Sequence, residues 1–261
     1  MRLAVCLFGN LGNALCAGAR NPRADLMKES DGFNDVSGTR SLLDKNLCSH
    51  YDTDFFLHSW SEPSKDFILE LYNPKSYEIT SQKNFDVDLE EYGLIGNDIS
   101  KWKCSDSSKF GYEALLPSRG SVENILEEMP RLAFRSSSRY YSSQRSIELK
   151  RKYEEENNFK YDFVLVTRFD NMFHKRIPLE QLNPDKFYGS FRYSRIDKDH
   201  AIHDQWFLGG SENMDKYGSL FDHRHDYCIR PTFSSRQHIQ KFIGDEDLEN
   251  LFNETDYGVK R

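Results

Sequence analysis

A charged triplet closes an apolar stretch in the second half of the chain. Residues 161–170 read YDFVLVTRFD, so Arg168, Phe169 and Asp170 stand at the end of a predicted strand. Side chains two apart on a strand share a face, and Arg168 and Asp170 are therefore expected to point the same way. An aspartate there can hold a divalent cation that neutralises a diphosphate, and the arginine can bind phosphate beside it. The alternative is a simple Arg–Asp ion pair at a strand end.

A second candidate group precedes another apolar segment, WFLGG, at residues 206–210. His203 and Asp204 offer a general base and a partner that orients it. Trp206 offers a flat apolar surface for a sugar ring or a base. The alternative is an ordinary loop and strand whose aromatic residues belong to the core.

Histidines further along the chain suggest a different chemistry. The run HRHD at residues 223–226 is similar to the HxHxDH pattern of metallo-hydrolases, but its aspartate comes one place too early and no histidine follows. A solvated polar turn is the preferred interpretation. A metal-dependent phosphoesterase is kept as an alternative, and it requires His200, His203, His223 and His225 to converge on one metal ion.

The glycines after the first apolar segment are a weak signal. Residues 9–12 read GNLG, without the third glycine of a dinucleotide fingerprint. The chain contains no GxxxxGK[ST] motif, which excludes a P-loop kinase, and no GxSxG motif, so nothing supports a serine hydrolase.

A sheet of buried strands is needed to position these residues. The run RLAVCLF at residues 2–8 predicts a buried strand that ends at a turn, as parallel sheets require. A long loop at 9–33, a helix at 36–49 and a strand at 52–60 follow, and together they form a right-handed βαβ unit. The prediction is an α/β fold with a Rossmann-like, mostly parallel sheet sandwiched by helices.

The second half of the chain continues this alternation. Irregular structure is expected over residues 84–118. Ser121 is predicted to cap a helix that ends at 129, and Pro130 to open a second helix that ends near 157. The remaining predicted elements are strands at 163–166, 186–193 and 204–209 and helices at 211–223 and 234–243, before a loose segment at 252–261.

Composition narrows the classes of function. The net charge of −7 argues against nucleic-acid binding, which favours a basic face. No apolar run approaches the roughly 20 residues that span a bilayer, so no integral membrane segment is expected. Five scattered cysteines without a CxxC pair fit a reducing compartment rather than a disulfide framework or a zinc site. Aromatic residues make up 14% of the chain, which excludes disorder over most of its length.

The order of the segments resembles a known family. The first apolar strand ending in glycine is followed by YDTDFFLHSW, LYNPKSYEI, SSQRSIELKRKYEEENNFKYDFVLVTRFDNMF and HDQWFLGGSENMDKY. This series is similar to the small nucleotide-sugar glycosyltransferase-like proteins of bacterial surface-polysaccharide clusters and of large viruses and phages. The similarity covers most of residues 1–220.

The resemblance implies a GT-A type fold in one domain over residues 1–261. Residues 1–173 would form the nucleotide-binding part and residues 174–251 the acceptor side. Its DxD-like motif falls on the RFD triplet, so Asp170 would hold Mn²⁺ or Mg²⁺, and Arg168 would lie beside the diphosphate.

The resemblance also implies roles for residues outside the triplet. Residues of the first strand and its turn would contact the nucleotide. Lys75 of the NPK motif is a candidate for contact with phosphate, and the default alternative is a solvent-facing lysine. Asp204 would deprotonate an acceptor hydroxyl. The donor and acceptor site would include Phe8, Gly9, Asn10, Lys75, His203 and Trp206.

The implied reaction moves a sugar from a nucleotide-diphosphate sugar to a glycan or another hydroxyl acceptor. The expected location is the cytoplasm of a bacterium or of a virus-infected cell. Arg168 stands where the family has the first aspartate of DxD, so a catalytically inactive nucleotide- or sugar-binding relative is a further alternative.

Overall fold

A computed structural model of the chain describes residues 1–11, 36–94, 120–190, 202–227, 229, 231–252 and 256–259. Most of the predicted loop at 9–33, much of the irregular stretch at 84–118 and His200 lie outside these residues. No helix in the described ranges is both long and apolar enough to cross a membrane.

The described residues alternate between strands and helices along the chain. The strands are β1 (Arg2–Gly9), β2 (Asp52–Ser59), β3 (Ser76–Ile79), β4 (Phe163–Arg168), β5 (Asn171–Phe173), β6 (Phe187–Gly189), β7 (Trp206–Gly209), β8 (Leu248–Asn250) and β9 (Tyr257–Val259). The α-helices are α1 (Ser37–Asn46), α2 (Lys65–Tyr72), α3 (Val122–Asn157), α4 (Ser211–Tyr217) and α5 (Pro231–Phe242).

A seven-stranded sheet organises the molecule in the order β3-β2-β1-β4-β7-β6-β8. β1 pairs in parallel with β2 on one side and with β4 on the other, and β3 extends the parallel part beyond β2. β7 runs antiparallel to both β4 and β6, and β8 is parallel to β6. The predicted α/β class with a mostly parallel sheet is confirmed.

Helices cover both faces of the sheet because β1 is buried on both faces. Alternate residues of β1 enter different cores, as the two-residue period of a strand requires. Leu3, Val5 and Leu7 pack on the side of α1 and α2. Ala4, Cys6 and Phe8 pack on the side of α3, α4 and α5. This double burial explains why the segment reads as an unbroken apolar run.

The prediction of two helices divided at Pro130 is wrong. α3 is one helix of 36 residues with Pro130 inside it, and Ser121 caps it by accepting a bond from Asn124 N at 3.3 Å. A proline removes one backbone hydrogen bond. Met129 and Ala133 are buried in the same apolar cluster on either side of the proline, and this packing offsets the loss.

The chain's later elements also differ from their predicted bounds. The helix expected at 211–223 ends as an α-helix at Tyr217 and continues as a 3-10 turn over Gly218–Phe221. The segment expected to be loose contains β9, which pairs with β5 in a two-stranded sheet next to the RFD triplet.

A buried lysine ties α3 to α4. Lys150 is fully buried, and its Nζ donates to Glu154 Oε2 at 3.1 Å, to Ser211 Oγ at 2.7 Å and to Asp215 Oδ1 at 2.7 Å. A charge taken out of water is tolerated only when it is paired and hydrogen-bonded, and removal of one partner leaves the others uncompensated.

Replacement of Lys150 is therefore expected to be costly. Lys150→Met keeps most of the side-chain length but should lower the free energy of unfolding by about 3–5 kcal/mol in urea denaturation. Lys152→Met on the same helix is the control, because the Lys152–Glu156 pair is exposed at 73% and 59%. Equal effects of the two substitutions would contradict this role for the buried network.

Candidate functional site

The candidate site lies where the parallel strands end. We call this the carboxyl edge, defined by the strand-terminal residues Gly9, Ser59 and Arg168. In register, Gly9 is opposite Ser59 and Phe8 is opposite Arg168. In open α/β sheets, ligands bind outside the carboxyl ends of the strands, at the point where the helices that follow two neighbouring strands lie on opposite faces of the sheet. In this chain that point is the carboxyl end of β1, which lies between β2 and β4.

The backbone turns sharply as it leaves β1. Gly9 has φ of +105°, a conformation open to glycine but strained for other residues. Its N–H donates to Ser142 Oγ at 2.9 Å, and its carbonyl accepts from Trp60 N at 3.3 Å. Beyond it, Asn10 accepts a short hydrogen bond from Ser61 Oγ. The predicted nucleotide residues Gly9 and Asn10 are thus held by α3 and by the end of β2.

A buried histidine contacts the serine side chain that binds the Gly9 turn. His58 has no exposed surface, and its Nδ1 lies 2.8 Å from Ser142 Oγ, the atom that accepts the Gly9 N–H. Burial lowers the pKa of His58 to about 4, although Glu78 Oε1, 3.8 Å from Nε2, acts in the opposite direction. The imidazole is therefore neutral at neutral pH.

Arg168 and Asp170 lie side by side, but Asp170 belongs to the turn after β4 and not to the strand, so the strand period does not place it. Arg168 Nε and Nη2 contact the two oxygens of Asp170 at 2.8 and 2.5 Å. The Arg168 side chain is 39% exposed and that of Asp170 is 15% exposed. The ion pair named as the simpler alternative is therefore present.

The contact with Arg168 affects the availability of Asp170 as a ligand of the predicted Mn²⁺ or Mg²⁺ ion. Both cations favour carboxylate oxygens that no other cation holds. Both oxygens of Asp170 already contact Arg168, and within the described ranges no group of three or more His, Cys, Asp or Glu side chains could hold a metal. In this structure the carboxylate of Asp170 is therefore engaged by Arg168.

Asp204 is held by an arginine that the sequence analysis missed. Arg139 of α3 forms a short ion pair with Asp204, and its Cζ lies 5.4 Å from the ring centroid of the buried Phe8. Burial lowers the pKa of Arg139 to about 10, with Tyr217 acting in the opposite direction and Arg168 in the same one. The guanidinium stays charged at neutral pH and within electrostatic range of Arg168.

The position of Arg139 is explained by the structure and not by a motif in the sequence. It lies three residues after Ser136 and four before Ser143, and both serines are buried. Residues three and four apart lie on one helix face, so Arg139 belongs to the face that packs on the sheet. A cation on such a face needs a partner, and Asp204 supplies it.

Two further predicted residues flank Asp204. His203 lies at the same edge, its N–H donates to the Ser190 carbonyl at 2.7 Å, and its ring is 5.8 Å from that of Tyr257. Trp206 is fully buried, with Phe173 5.8 Å and Phe252 5.5 Å away between ring centroids. The prediction that Trp206 presents a surface to a ligand is wrong, because β7 carries it into the core.

Lys75 lies away from the carboxyl edge, contrary to its predicted contact with phosphate. It precedes β3, its N–H donates to the Phe55 carbonyl at 2.9 Å, and its Nζ is 3.4 Å from Asp54 Oδ1. Phe55 is opposite Val5, four residues before Gly9, or about 13 Å along the strand. The NPK motif precedes β3, which begins level with the middle of β2, and it therefore lies below the carboxyl edge.

The three described histidines of the phosphoesterase alternative contact different partners. His223 Nδ1 contacts Asp226 Oδ2 at 3.0 Å, and His225 Nδ1 contacts Glu91 Oε2 at 3.1 Å. His203 lies apart from them, against Tyr257. The geometry required by the phosphoesterase alternative is not found among these three residues.

Comparison of the chain with models of known protein families gives no match, and comparison with curated proteins gives none.

Buried His58 predicts a pH dependence of stability. The unfolded histidine takes up a proton near pH 6.5 and the folded one only near pH 4. Between these values the unfolded state binds more protons, so stability falls as pH drops through this window and is fully present above it. In a plot of the free energy of unfolding against pH, His58→Gln should reduce the slope between pH 4 and 6.5 by up to about 1.4 kcal/mol per pH unit.

Urea denaturation at a series of pH values measures this slope. The exposed His50→Gln serves as the matched control for loss of an imidazole. An identical slope in wild type and His58→Gln would contradict the assignment of a buried, neutral His58.

Proposed function

We propose that the chain is a nucleotide-sugar glycosyltransferase of the GT-A type. One observation carries the proposal: the Gly9 turn, the Arg168–Asp170 pair and the Arg139–Asp204 pair meet at one edge of the sheet. They come from distant parts of the sequence. Their meeting point is the crevice where open α/β sheets bind nucleotides.

The donor side and the acceptor side of the transfer reaction can be assigned to residues at the ends of different strands. The backbone at Gly9 allows close approach of a nucleotide, and Arg168 offers a guanidinium to the leaving diphosphate. Asp204 precedes β7, the strand next to β4, so it lies beside the donor position. The sugar's bond to the nucleoside diphosphate breaks as the acceptor oxygen attacks, and in an inverting reaction Asp204 takes the acceptor proton.

A second candidate is a nucleotide-sugar-binding protein without turnover. Both carboxylates of the site, Asp170 and Asp204, are paired with arginines. A carboxylate oxygen in contact with a guanidinium is less available to an acceptor hydroxyl. Such a site would bind the donor but transfer its sugar slowly or not at all.

Release of nucleoside diphosphate distinguishes these functions. The purified chain is incubated with a panel of UDP-, GDP-, CDP-, ADP- and dTDP-sugars, with sugar acceptors or water, and products are followed by mass spectrometry. We expect one donor to be consumed. Asp204→Asn should lower the rate by at least about 100-fold, the lower range of general-base catalysis.

Asp54→Asn is the matched control. Asp54 is also ion-paired and has similar exposure, 23% against 21% for Asp204, but its partner is Lys75, away from the carboxyl edge. Binding without release of nucleoside diphosphate would favour the second candidate. Absence of binding by every nucleotide sugar would contradict both.

A further inference from the structure

The two arginines at the carboxyl edge differ from ordinary surface cations. Arg139 is 14% exposed and interacts with Asp204 and with the side chain of Tyr217, while its Nη2 is buried and has no hydrogen-bond partner among the described residues. A buried guanidinium N–H without an acceptor is rare and costly, so it calls for a physical explanation. An anionic ligand that brings an acceptor to this group is one.

Arg168 complements Arg139 from the neighbouring strand end. Its Nε and Nη2 are engaged by Asp170, and no described residue bonds to its Nη1. The bidentate contact with Asp170 fixes the plane of the Arg168 guanidinium. The remaining N–H groups of this guanidinium can donate to an acceptor on a ligand. With 39% of the side chain exposed, these donors can be reached from solvent.

The positions of the two guanidiniums relative to β1 bring them to one ligand. Arg139 lies over the ring of Phe8, and Phe8 is the register partner of Arg168. Asp204, the partner of Arg139, is one residue before Gln205, whose carbonyl accepts from Arg168 N at 3.4 Å. Both cations therefore border the end of β1, where the Gly9 turn begins.

We propose that Arg139 and Arg168 bind the diphosphate of the nucleotide ligand directly and that this binding needs no divalent cation. This inference rests on the proposed function. It departs from the DxD-based expectation, because the fork of Arg168 occupies both oxygens of Asp170 that a metal would need. The two aspartates orient the guanidiniums, and the guanidiniums carry the charge interaction with the ligand.

Calorimetric titration of the full chain tests this inference with three probes. The probes are inorganic pyrophosphate, a panel of nucleoside diphosphates (ADP, CDP, GDP, UDP and dTDP), and Mn²⁺ alone. Each nucleotide is titrated in EDTA and again in excess Mn²⁺ or Mg²⁺. We expect one nucleoside diphosphate to bind in EDTA with a Kd within about threefold of its Kd in metal, because the cation then adds little to the binding free energy.

Variants identify the groups that carry the charge. Arg168→Gln should weaken binding in EDTA by about tenfold or more, the usual loss for a charge-assisted hydrogen bond. Asp170→Asn should leave binding in EDTA intact, because Arg168 keeps its charge and the loss of a negative charge beside the ligand opposes the loss of the contact that orients Arg168. A metal site would give the opposite result, with Asp170→Asn abolishing binding.

Arg139 is tested by a conservative change and against a control. Arg139→Lys keeps the charge but loses the planar fork, and should also weaken binding, with folding checked by circular dichroism. Arg2→Gln is the control, because Arg2 is an exposed, ion-paired arginine at the opposite end of β1. It should bind as wild type does.

The possible results separate this inference from the proposed function. Binding only in the presence of metal, lost in Asp170→Asn, would overturn the arginine site and leave glycosyl transfer standing. Binding in EDTA that neither arginine variant weakens would also overturn it. Binding of pyrophosphate but of no nucleoside diphosphate would support an arginine anion site and count against the proposed function. No binding of any probe would overturn both.

Discussion

The structure depends on β1, a strand that is hydrogen-bonded on both sides and buried on both faces. Its backbone must find partners in β2 and β4, because an unpaired polar group there would have no water. Its side chains alternate between two cores, so both faces need helices. The same pairing fixes the site, since Gly9 and Arg168 end neighbouring strands only when β1 and β4 are in this register.

α3 is the second determinant, because it carries two buried cations to opposite ends of its contact with the sheet. Lys150 joins α3 to Asp215 of α4, and Arg139 joins it to Asp204 before β7. Each cation is on the long helix and each of these anions comes from a later part of the chain. The ion pairs therefore favour one placement of the helix over the sheet, since any other would leave a charge buried without its partner.

The candidate site is built from paired charges rather than free ones. Asp170 and Asp204, the two carboxylates that the resemblance singled out, each contact a guanidinium. The pairing engages oxygens of both carboxylates and holds two arginines at the end of β1. Arg139 and Arg168 consequently contribute more to the chemistry of the carboxyl edge than the RFD motif alone indicates.

Features that depend on neighbouring residues could be predicted from the sequence. The apolar runs of β1 and β4 and the Ser121 cap follow from local periodicity and local hydrogen bonding, and all are present. Features that depend on pairing between distant segments emerged only from the folded chain. The fold places Arg139 against Asp204, buries Trp206, and leaves Lys75 beside Asp54, away from the carboxyl edge. Strand order, register and helix placement are set by burial and charge pairing across the whole core, and no local window of residues contains that information.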